Sequence, residues 1–88
     1  EGQTHLDDIQ IYPNPNSGEF VFQILNAETG NLSLKITNVL GQLVYSKQTA
    51  SGNGDFILPI KLPGQPTGVY HLEVISESGI FTRQIVIR

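Results

Sequence analysis

Apolar residues recur at every second position along most of this chain. "FVFQI" sets Phe20, Phe22 and Ile24 on one side, and "LSLKI" sets Leu32, Leu34 and Ile36 on one side with Ser33 and Lys35 opposite. "FILPIKL" aligns Phe56, Leu58, Ile60 and Leu62, and "VYHLEV" aligns Tyr70, Leu72 and Val74 with His71 and Glu73 turned away. Successive side chains of a strand point to opposite faces, so this alternation predicts strands with one buried and one wet face. The final run, "RQIVIR", leaves open which of its faces is buried. Nothing has the spacing of a long amphipathic helix.

Turn signals divide these runs: "PNPNSG", "ETGN", "NVLGQ", "SGNGD", "PGQPTG" and "SESG". They bound seven predicted strands at residues 9–12, 18–25, 31–37, 42–48, 55–62, 68–76 and 80–87. Short strands at this spacing predict an all-β fold, an immunoglobulin-like antiparallel β-sandwich, with an open barrel as the alternative. Pro59 cannot donate to a ladder, which predicts an edge strand or a bulge there. Pro13 and Pro15 fix φ and push Tyr12 and Asn14 toward extended geometry, and Gly18 admits a backbone angle that other residues resist. That stretch reads as a stiff corner between the first two strands.

Length changes the picture little: 88 residues make one small domain. Residues 1–8 are polar and unpatterned and read as a linker from an upstream domain, with the sandwich over residues 9–88. The chain starts without methionine, which reads as a piece of something longer. Charge changes it more. The net charge is −3, and the five basic residues, Lys35, Lys47, Lys61, Arg83 and Arg88, are scattered. Nucleic-acid binding calls for clustered Lys and Arg, so no nucleic-acid partner is expected. No apolar run approaches the ~20 residues of a membrane helix, and no direct membrane insertion is expected. The chain has no cysteine, so neither disulfides nor thiolate metal ligands contribute.

Candidate chemistry is sparse. His5 falls in the linker, and His71 alternates outward beside Glu73. No motif sets a nucleophile beside a base. Asp7 and Asp8 are adjacent carboxylates in the linker, a poor basis for fixed acid–base geometry. "SGNGD" offers Asn53 and Asp55, and a glycine-rich hairpin turn explains it better than a calcium loop. No enzyme activity, metal or cofactor is expected. A carbohydrate-binding or adhesive module is the alternative, since many β-sandwiches bind sugars. It has weak support: there is no tryptophan, and only Tyr12 and Tyr45 are plausible stacking platforms.

Four motifs in order go further. They are "IYPNPNSGEFVFQI" (11–24), "LKITNVLGQLVY" (34–45), "LPGQPTGVYHLEV" (62–74) and "TRQIVIR" (82–88). Together they resemble the type A C-terminal sorting domain of the type IX secretion system of Bacteroidetes, over about residues 9–88. Two details depart from the usual pattern: "GQPT" lengthens the third motif, and Arg83-Gln84 stands where paired lysines, or a single lysine just before the apolar run, are common. The resemblance implies a delivery signal with no chemistry of its own. It implies an N-terminal cargo, an outer-membrane translocon that reads the domain, and a sortase-like peptidase that removes it, cutting in or before residues 1–8. It implies passage through the periplasm, then the cell surface or release. By the same resemblance the sorting motifs fall on Pro13, Asn14, Pro15, Gly18, Gly41, Gly68, Tyr70, Arg83, Ile85, Val86, Ile87 and Arg88. The terminal strand is expected to offer an edge for strand addition or an accessible end. A structural reading stands beside this for each residue: Ile85 and Ile87 as core, Gly41 and Gly68 as turn residues, and Tyr70 as a core tyrosine whose hydroxyl finds a backbone acceptor. A third reading is an accessory domain that stabilises a catalytic neighbour; deleting it would cost activity rather than export.

Overall fold

The computed structural model of the chain describes residues 8–27, 29–52 and 54–88. The linker expected over residues 1–8 therefore lies, apart from Asp8, outside the described residues, as do His5, Asp7 and Asn53. The alternating runs form seven strands: β1 (Ile9–Tyr12), β2 (Glu19–Ala27), β3 (Gly30–Thr37), β4 (Leu43–Ser51), β5 (Gly54–Lys61), β6 (Gly68–Ser76) and β7 (Gly79–Ile87). They make two sheets, a three-stranded β1-β2-β5 and a four-stranded β4-β3-β6-β7. Every strand pair within them is antiparallel. The fold is an immunoglobulin-like sandwich in which β4 pairs with β3 rather than lying beside β5.

Alternation decides what the sheets bury. Phe22, Leu34, Ile36, Leu72, Val74 and Ile85 are fully buried, and the polar residues between them point out. The rings of Phe22 and Phe56 meet edge-on at 6.2 Å, within the sheet that carries both. The core face of the last run is now defined: Ile85 and Ile87 are buried, while Gln84 and Arg88 are exposed and Val86 is half-buried. His71 faces outward, opposite Thr37 and Gln84 on the neighbouring strands.

Pro59 sits on β5, an edge strand, opposite Val21. An edge tolerates the missing N–H because that side of the strand meets solvent. The irregularity in this pair falls elsewhere, between Ile24 and Ala27. Two strands run longer than their patterns predict. β4 continues past residue 48 to Ser51 because its pairing with β3 holds through Gly30↔Ser51, although its side chains there alternate poorly. β2 likewise reaches Ala27. Leu62, expected to close the fifth strand, lies one residue beyond β5 and is still buried.

Strand direction sorts the connections into two groups. Residues 13–18, 38–42 and 62–67 gather with Arg88 at one end, here called the distal pole. The ends of β2, β4 and β6 and the starts of β3, β5 and β7 gather at the other, the entry pole; β1 begins short of it, with Ile9 opposite Ile24 rather than Ala27. The molecule measures 39 × 22 × 19 Å, which makes the separation of these poles its dominant dimension.

Candidate recognition site

The distal pole starts from a chemical problem. In "PNPN" two of four residues have no backbone N–H, so this stretch cannot form an ordinary ladder. It nonetheless lies along the outer edge of β7, where Asn16 and Ile87 form a parallel bridge. The Asn16 amide donates to the Val86 carbonyl at 3.0 Å, and the Arg88 amide donates to the Asn16 carbonyl at 2.8 Å. Between the prolines, the side chain of Asn14 takes over. Its Nδ2 donates to the Gln84 carbonyl and its Oδ1 accepts from the Val86 amide, both at 2.9 Å. A carboxamide carries one donor group and one acceptor in the arrangement of a peptide unit. Asn14 thus substitutes a side-chain amide for the backbone amides that Pro13 and Pro15 lack. The Tyr12–Pro13 and Asn14–Pro15 peptide bonds are both cis.

Asn16 holds the strap in shape from inside. It is 7% exposed, its Nδ2 donates to the Pro13 carbonyl at 3.0 Å, and its Oδ1 accepts from the Gly18 amide at 2.8 Å. A buried asparagine with both ends satisfied fixes one loop conformation, whereas an unsatisfied one would cost stability. Gly18 has φ +105°, and a β-carbon there would approach the Leu62 carbonyl oxygen to 3.2 Å. Its own carbonyl accepts from the Leu62 amide at 2.7 Å, joining the first loop to the third.

The second loop is organised by Asn38 and Gln42. Asn38 Oδ1 accepts from the amides of Leu40 and Gln42, and its Nδ2 donates to Gln42 Oε1 at 2.8 Å. Its backbone closes the turn, donating to the Gln42 carbonyl and accepting from the Gly41 amide. Gly41, at φ +80°, supplies the left-handed residue that this turn needs. So fixed, the loop holds Val39 and Leu40 in solvent at 71% and 79% exposure.

The third loop is tied by Tyr70, whose buried hydroxyl donates to the Pro66 carbonyl at 2.6 Å. A tyrosine near the start of a strand, bonded to backbone a few residues upstream, is the tyrosine corner of immunoglobulin-like sandwiches. Gly68 opens that strand, opposite Ile87.

Eleven of the twelve candidate residues, all except Arg83, therefore sit on one pole or lead into it. Arg83 lies halfway along β7, opposite Leu72, and its guanidinium donates to the Ile9 carbonyl, bracing β1 against β7. The expectation about the terminal edge needs correcting in one respect. Residues 84–88 are already covered by Asn14 and Asn16, so their edge is not free for strand addition while the strap is in place. Sequence reasoning also passed over Asn16, Asn38 and Gln42 as key residues. The available signal was an Asx residue two places before a glycine or leucine amide, a spacing that favours side-chain-to-backbone turns.

The sugar platforms fare poorly. Tyr12 is exposed but its hydroxyl is engaged with Gln23 Oε1 at 2.8 Å. Tyr45 packs against the core, and burial pushes its phenol pKa above 10. Among the described residues no group of His, Asp or Glu is placed to hold a metal.

A family model described as the secretion system C-terminal sorting domain matches residues 10–88, nearly the whole chain. The chain belongs to that family, the C-terminal sorting domains of type IX secretion. It is a family of sorting signals rather than of catalysts, and it ties the domain to the type IX machinery, to an N-terminal cargo part, and to export toward the cell surface or medium. A search of the curated proteins returned no match.

Proposed function

We propose that the domain is read as a folded shape by the outer-membrane translocon after its cargo has crossed the periplasm. A sortase-like peptidase then removes it by cutting within or before residues 1–8, and the cargo is anchored or released. The observation that carries this reading is the strap: Asn14 and Asn16 fasten the first motif to the last. Motifs separated by some seventy residues become one surface only in the folded state. A translocon that accepts many cargoes needs such a cargo-independent shape.

The test is an export assay in a bacterium with a type IX system. Residues 1–88 are fused to a reporter carrying an inner-membrane signal, beside a version lacking residues 81–88 and a version with Ile85→Ser. The intact fusion should reach the surface or medium with the domain removed, and the truncation should stay periplasmic. Retention of the intact, folded fusion would overturn the reading. Export with the domain still attached would overturn the cleavage step alone.

A further inference from the structure

The loops of the distal pole contain no charged residue. Residues 13–18, 38–42 and 62–67 hold Asn, Gln, Ser, Thr, Gly, Pro, Val and Leu only. At the entry pole Asp55 and Glu77 stand at or beside the connections. Charge stands at the margin of this end, on Glu19, Lys61 and Arg88, so the loops themselves present an uncharged surface.

Within these uncharged loops the apolar groups are concentrated. Val39 and Leu40 line a depression of about 230 Å³ together with Pro66, Thr67 and Val69. Leu43, the first residue of β4, is 57% exposed close behind them. The other strongly exposed aliphatics, Ile57 and Ile80, lie on edge strands away from this loop. The loop is also fixed in shape by hydrogen bonds that join Asn38 to Leu40, Gly41 and Gln42. Apolar side chains held out by a pre-ordered loop lose little conformational freedom on binding, which is how interface anchors work. Interface centres are depleted in charge, and so is this one.

We propose that the Val39–Leu40 tip is an anchor by which the folded domain docks into an apolar, uncharged concavity on a protein of the secretion machinery. This deepens the sorting reading and rests on it. The chemistry of the pole selects the occupant. An anionic lipid surface would call for a basic patch, and these loops supply none. A contact of this kind depends weakly on salt, because no charge pair contributes to it.

The experiment uses the cargo fusion that the sorting reading requires. Val39→Ser with Leu40→Ser is compared with Ile57→Ser, an exposed aliphatic of the other sheet, and with the parent. Thermal midpoints of the isolated domains should agree within about 2 °C, because exposed substitutions change stability little. Export of the Val39/Leu40 variant should fall at least about tenfold, the scale of an interface anchor, at low and high salt alike, with Ile57→Ser exporting like the parent. Parent-like export of the Val39/Leu40 variant overturns the anchor and leaves the sorting reading intact. Failure of the parent itself overturns both. Sedimentation velocity separates the remaining occupant: a parent dimer that the Val39/Leu40 variant abolishes would assign the tip to a second copy of the chain and overturn the proposal. Binding of the parent to anionic vesicles, lost in the variant, would assign it to lipid with the same consequence.

Discussion

The two poles of the sandwich solve the same problem, reversing the chain, by different means. At the entry pole the fully described reversal, Glu77-Ser78 between β6 and β7, takes two residues. The strands run nearly into one another, and little is left to hold. At the distal pole each reversal takes five or six residues, and each loop is fixed by an asparagine or a tyrosine rather than by brevity. Long loops ordered by side-chain hydrogen bonds cost conformational entropy that short turns avoid. A fold that only needed to reverse direction would use the short solution at both ends. The difference fits the proposal that the distal loops are kept for the surface they present, a surface to which the sorting reading gives a reader.

The sharpest way to break this comparison is to cut the strap. Replacing Asn14 and Asn16 together by Ala should destabilise the domain by about 2–4 kcal/mol, since it removes several bonds and leaves buried partners unsatisfied. Urea unfolding would measure this, and hydrogen exchange should show the Val86 and Arg88 amides losing protection first. Unchanged exchange at those two amides would mean that the strap does not hold the terminal strand. Gly18→Ala comes next, at about 1–2 kcal/mol, for a side chain forced to positive φ against the Leu62 carbonyl. Its signature is exchange of the Leu62 amide, which donates to the Gly18 carbonyl. The matched substitution at the entry pole, Glu77→Ala, should cost about 0.5 kcal/mol or less, despite losing a 3.2 Å contact with the Asn31 amide. An equal cost at both poles would remove the asymmetry between them.

The smallest effect is a pH dependence unrelated to either pole. Burial raises the Tyr45 pKa above 10, so the folded state favours the neutral phenol. Below the unfolded pKa of about 10 this contribution is fully present; it is lost as pH rises from there toward the folded value. The thermal midpoint should therefore fall more between pH 9 and 11 in the parent than in Tyr45→Phe, by a small margin because the group is only partly buried.

Much of the fold was legible in the chain because a strand with one wet face writes a period of two into its sequence. Phe20, Phe22 and Ile24, or Tyr70, Leu72 and Val74, announce both the strand and its buried side, and the structure buries all six. Glycine and proline marked the reversals for equally local reasons, and Pro59 marked an edge. The site was legible only as motifs. Periodicity says nothing about partners: that β4 joins β3 rather than β5, or that β7 ends a sheet, depends on contacts between distant residues. The strap was out of reach for the same reason. Asn14 and Val86 are 72 positions apart, and no local rule makes one the substitute ladder of the other. The chain by itself determined the strands, their inner faces and the stiffness of the first corner. Tertiary structure alone decided that this corner closes over the last strand and that an uncharged apolar tip stands beside it. Both depend on where a fixed loop meets a distant strand, which local preference does not encode.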